Sequence, residues 1–149
     1  MTGTFEGVGS LQFSPDNKFA YAYSGNVIIP NNTDTTVLDF TTGSEYIMSN
    51  FVWFGDIAYL SSSKVIVYKI QFNDVIVYDN SRLTHSAHSW ADQDVIPFII
   101  PPFTNVKAII FTDDTGEQTF GCAITGKVKG AIEQENLEAI TDNNKWASK

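Results

Sequence analysis

The 149-residue chain has one cysteine, Cys122, so no disulfide can form within it, and its stability has to come from packing. Charge is scarce and one-sided. Charged residues make up 17% of the chain, with 9 Lys and Arg against 17 Asp and Glu and a net charge of -8. An acidic surface repels phosphate backbones and anionic headgroups, so neither nucleic acid nor a membrane is expected as a partner. No run approaches the ~18 consecutive apolar residues of a membrane-spanning helix. The N-terminus, MTGTFEGVGSLQF, has no basic residue and no apolar block, which is not the pattern of a secretory leader. The protein is expected to be made in a cytoplasm and to be soluble. Phosphate loops, nucleophile elbows and zincin motifs are all missing, so no enzymatic activity, catalytic residue or cofactor is expected.

The chain does have β-formers. Aromatic residues reach 13%, with 11 Phe, 6 Tyr and 3 Trp, which suits sheets packed face to face. In Lys64–Asn80, Ile66, Tyr68, Ile70 and Phe72 alternate with Val65, Val67 and Lys69. That is strand periodicity, and Asn73-Asp74 supplies a hairpin turn to a second strand over Val75–Asp79. Similar segments span Lys18–Ile29, bent at Ser24-Gly25-Asn26, then Thr35–Thr42, Tyr46–Phe54, Ile96–Ile100, Val106–Thr112 and Thr119–Lys129. In the last, Phe120, Cys122, Ile124 and Val128 share one face, which makes Cys122 a small buried hydrophobe rather than a nucleophile.

Eight strand candidates with short turns predict an all-β, antiparallel two-sheet sandwich, an eight-stranded jelly roll. The immunoglobulin-like alternative has no Cys…Trp…Cys framework to support it. Residues 1–17, rich in Gly, Ser and Thr, read as an N-terminal arm, 18–130 as the sandwich, and 131–149 as a C-terminal tail whose apolar spacing suits a short helix.

The long polar stretch 80–94 holds both histidines. His85 and His88 have a spacing that can share a metal, with Asp92 or Asp94 to complete it. No second motif adds ligands at fixed spacing, so the stretch reads as a surface loop and no metal is expected. Asp113–Glu117 has oxygen ligands suited to calcium but not the full spacing of a calcium loop, and reads as an acidic hairpin turn. Trp53 lies in a dense strand and is expected in the core. Trp90, in the long loop, is the better placed to stack on a sugar. Trp146 in the tail and Phe5, Leu11 and Phe13 in the arm are the other candidate contact residues.

SGNVIIPNNTDTTVLDFTTGSEYI, followed much later by VIPFIIPPFTNVKAIIFTDDTG and AITGKVKG, resembles small jelly-roll structural proteins of tailed bacteriophages. These are the capsid decoration (cement) and head-fibre-type proteins, and the resemblance covers about residues 24–130. It implies a non-enzymatic virion protein, often a homotrimer, that binds the major capsid protein on the outside of the head. It transfers no site residue. The arm (Phe5, Leu11, Phe13) and the loop around Trp90 are the expected contacts. The alternative is a carbohydrate- or receptor-binding module of a tail or fibre. A hydrolase on the same sandwich would need a cleft with close carboxylates.

Overall fold

The structure, a computed structural model, describes residues 9–55, 64–83, 95–115 and 118–130. The elements described are all strands: β1 (Leu11–Phe13), β2 (Phe19–Tyr23), β3 (Val27–Ile29), β4 (Thr35–Thr41), β5 (Ile47–Gly55), β6 (Val65–Phe72), β7 (Val75–Leu83), β8 (Val95–Ile100), β9 (Asn105–Thr112) and β10 (Gln118–Val128). They form two antiparallel sheets. The larger runs β1-β2-β10-β5-β8, with β3 also on β10, and the smaller runs β4-β9-β6-β7. The expected sandwich is therefore present, and all eight strand candidates lie in it. With β3 taken as the continuation of β2, the strand order is compatible with a jelly roll.

Alternation decides what is buried. Ile66, Tyr68 and Ile70 of β6 lie opposite Thr112, Ile110 and Ala108 of β9 and point inward with them. From the larger sheet, Phe120, Cys122 and Ile124 of β10 and Phe51 of β5 point back at them. Trp53 lies in the core as expected, its ring 4.7 Å from that of Tyr68 across the sheets. Phe98 of β8 stands edge-on to Phe51 at 5.8 Å, Phe72 at 5.7 Å and Tyr78 at 6.4 Å. This aromatic cluster ties β8 to the β6-β7 hairpin and so closes one flank of the sandwich.

Two turns follow from their residues. Asn73 and Asp74 have φ of 50° and 65°, the left-handed pair of a type I′ hairpin, which Asn and Asp tolerate. The bend between β2 and β3 turns on Gly25 at φ 71° and is pinned by Ser24, whose Oγ accepts from the Cys122 amide at 2.9 Å and donates to the Gly25 carbonyl at 2.7 Å. Thr42 does similar work at the other end of the sandwich. Its Oγ1 donates to the Pro101 carbonyl at 2.7 Å and accepts from the Thr104 amide at 2.9 Å.

The second strand of the hairpin runs on to Leu83, four residues beyond the expected end. The segment expected as a free arm is partly sheet. Leu11–Phe13 pairs with Ala20–Ala22, and Gly9 crosses to the smaller sheet, donating to the Val37 carbonyl at 3.2 Å. The chain so stitches the flank opposite the aromatic cluster. Composition hid this, because one short strand among Gly, Ser and Gln carries too little alternation to register.

Cys122 is fully buried, and desolvation pushes its thiol well above the ordinary range, because the thiolate is the charged form. The native protein is expected to resist a thiol reagent such as dithionitrobenzoate at pH 8. One thiol per chain should then appear in guanidinium chloride. Rapid labelling of the native state would contradict the packing described.

Candidate functional site

The inner face of the larger sheet is core, and its outer face is also apolar. On β2, Ala20 and Ala22 point inward while Phe19, Tyr21 and Tyr23 point out. The register extends this face across the sheet in rows. Phe19, Lys127, Met48 and Ile99 form one row; Tyr21, Thr125, Asn50 and Pro97 the next; Tyr23, Ala123, Val52 and Val95 the third. Phe19, Tyr21, Tyr23, Met48, Val95 and Ile99 are each between 48% and 62% exposed. Contiguous large apolar side chains in water mark an interaction surface far more often than an idle one.

A fourth row shows how the sequence shapes the face. Gly121 lies opposite Phe54, and a side chain there would run into the Phe54 ring and the Gly25 carbonyl. Its absence lets Phe54 lie across β10 and stack on Tyr23, with ring centroids 5.4 Å apart.

The two outer faces differ in charge. That of the smaller sheet carries Lys69 and Lys107, paired with Asp34 at 3.5 Å and Asp74 at 3.0 Å. Asp74 raises the pKa of Lys107 through this hydrogen bond. The rows of the larger sheet hold no Asp or Glu, in a chain of net charge -8, and their one cation is Lys127. Such a surface, with aromatics and Met enriched and charge depleted, has the composition of a protein interface core.

Side-chain size gives the face relief. Thr125 and Asn50 are short and lie between Phe19 and Tyr21 on one side and Pro97 and Ile99 on the other. The result is a depression of about 790 Å³, whose floor is the backbone of β10 and β5.

A second feature lies in the turn after β8. Phe103 has φ of 54° and is 71% exposed. A bulky residue held in the left-handed region with its ring in water is strained without gaining burial, a pattern found at functional sites. Relief of about 1–2 kcal/mol against about 0.5–1 kcal/mol of added backbone entropy makes Phe103→Gly neutral to slightly stabilising. Thermal unfolding is expected to give an unchanged or raised Tm, and a clear fall would show that the ring has a structural role.

The sequence-predicted contact residues fare differently. Leu11 lies on the inner side of β1 against the core. Phe13 is also on the inner side but stays 42% exposed at the sheet edge. Phe5, His85, His88, Trp90 and Trp146 lie outside the described residues. In the acidic turn, Asp113 is engaged structurally, its carboxylate accepting from the Val65 amide at 2.8 Å. Sequence reasoning missed the outer face of the larger sheet, although the Phe-Ala-Tyr-Ala-Tyr alternation carried the signal. Small residues on one face and rings on the other leave the rings outside wherever the small face packs.

No family model, curated protein or solved structure matches the chain.

Proposed function

We propose that the chain is a non-enzymatic virion structural protein, a decoration or cement protein that binds the major capsid protein on the outer surface of a phage head. In this reading it attaches through the outer face of the larger sheet and acts as a homotrimer. The observation that carries the proposal is that face: half-exposed Phe19, Tyr21, Met48 and Ile99 in adjoining rows, with Lys127 but no carboxylate among them. The resemblance of residues 24–130 to small phage jelly rolls supplies the setting, and the sandwich is compatible with it. Multivalency supplies the energetics. A trimer presents three copies of a modest surface to a repeating shell, and linked contacts raise avidity well beyond each single affinity.

The test uses particles of the virus that encodes the chain. They are expected to carry it in a fixed ratio to the major shell protein. Recombinant protein added to particles lacking it is expected to bind and to raise their thermal stability. Particles that neither carry nor bind the protein would overturn the reading.

The row of rings on β2 beside Asn50 and Thr125 also suits a second reading, a sugar-binding module of a tail or fibre, since rings stack on sugars and amides bond their hydroxyls. Binding to a glycan array by protein that ignores shells would favour it.

A further inference from the structure

The relief of the outer face constrains what can fill it. Its walls are the large side chains of β2 and β8, which are three strand spacings apart. At about 4.8 Å per spacing the walls stand roughly 14 Å from centre to centre. The floor, Thr125 and Asn50, then Ala123 and Val52, is two strands wide. A second flat sheet would ride on the walls without touching the floor. A single extended strand, whose neighbours in a sheet lie only about 4.8 Å away, would leave most of the width empty. The walls' own side chains leave a clear width of about two strand spacings, roughly 10 Å. An α-helix, about 10–12 Å across with its side chains, fills it and reaches the floor where it turns short residues such as Ala inward.

Charge sharpens the choice. Lys127 stands in the row of Phe19, Met48 and Ile99, in no ion pair among the described residues. Among the described residues no carboxylate on this face answers it, so the same face of a second copy would bring none from those residues either. The aliphatic wall, Pro97 and Ile99 with Val95 beyond, favours a protein over a sugar, because such side chains offer a sugar neither a ring to stack on nor a hydrogen bond.

We infer that the trough takes one amphipathic α-helix of a partner protein, with an acidic residue of that helix set against Lys127. This is helix-in-groove recognition on a sheet face. The inference rests on reading this face as the attachment surface, not on which protein forms the shell. From Thr125 to Ala123 the floor is about 7 Å long, closed at one end by the long side chains of Lys127 and Met48, and one to two turns of helix cover it.

The test is a titration of the full chain followed by backbone amide NMR, with three synthetic 18-residue peptides as probes. Two are amphipathic helices with Leu and Ala on one face, differing in a Glu or a Lys at the edge of that face. The third is the Glu peptide with two central prolines. Shifts are expected on β2, β10, β5 and β8, with the Glu peptide about threefold tighter than the Lys peptide, the size of an exposed ion pair. Lys127→Glu should reverse that preference, and the proline peptide should not bind. Equal binding of the proline peptide, a preference unchanged by Lys127→Glu, or shifts confined to the smaller sheet would overturn the inference. So would saturable shifts of the same amides by cellohexaose or chitohexaose with none from the peptides. Particle binding separates the two claims. Particles that bind the protein through this face while the peptides fail refute the helix alone; particles that ignore it while the peptides succeed refute the shell.

Discussion

Replacing Met48 and Ile99 together by Lys is expected to abolish attachment while leaving the fold intact. The two side chains lie directly opposite each other on β5 and β8 and are 48% and 62% exposed. In the free protein the added ammonium groups stay in water, but Met48 lies directly opposite Lys127, so like-charge repulsion adds to the usual surface cost and stability should fall by about 1 kcal/mol in all. At a buried interface two further ammonium groups would be desolvated beside Lys127, with only the one acidic residue already set against it to share among three cations. The affinity of one chain is then expected to fall at least about 30-fold, which is what a hot spot of about 2 kcal/mol supplies, and avidity multiplies the loss. A control pair on the smaller sheet, Lys69→Glu with Val67→Lys, should leave attachment unchanged. Unaltered attachment in the Met48/Ile99 variant, with the control behaving as stated, would remove the face from the account.

The largest stability effect is expected at Phe51. It is fully buried at the centre of β5 and stands edge-on to Phe98 in the cluster that closes the flank. Phe51→Ala should cost about 3–5 kcal/mol, the lost transfer energy plus the cavity left behind. For a chain of this size that is a fall in Tm of about 10–15 °C, a large part of the ~5–15 kcal/mol that holds a domain together. Phe51→Leu keeps most of the volume and should cost less than half as much. A near-neutral Phe51→Ala would mean that the two sheets do not pack through this residue.

Local features of this fold were legible in the sequence. Alternation located Val65–Phe72 with its buried Ile66, Tyr68 and Ile70. Asn73-Asp74 announced the hairpin because few residues accept two left-handed positions in succession. Ser24-Gly25-Asn26 announced the bend. The placement of Cys122 and Trp53 inside also followed from their strands. Features that depend on partners far along the chain were not legible. In β2 the alternation of rings and alanines was legible, but both faces are apolar, and that the small face is core is fixed by β10, about a hundred residues later. There Ala20 meets Gly126 and Ala22 meets Ile124. Nor does the trough exist in any one segment. Its walls come from β2 and β8 and its floor from β10 and β5, four strands that no sequence spacing brings together. Leu11–Phe13 was too short to declare itself as a strand.

The central claim is that the outer face of the larger sheet is the surface by which this protein attaches. The most direct measurement is hydrogen–deuterium exchange by mass spectrometry, comparing free protein with protein bound to purified particles. Backbone amides of a sheet are already protected by pairing, so the reading is the further slowing of β2, β5, β8 and β10 relative to β4, β6, β7 and β9. The account predicts added protection on the first four strands and none on the hairpin β6-β7. Protection of the smaller sheet alone, with the larger unchanged, would contradict it.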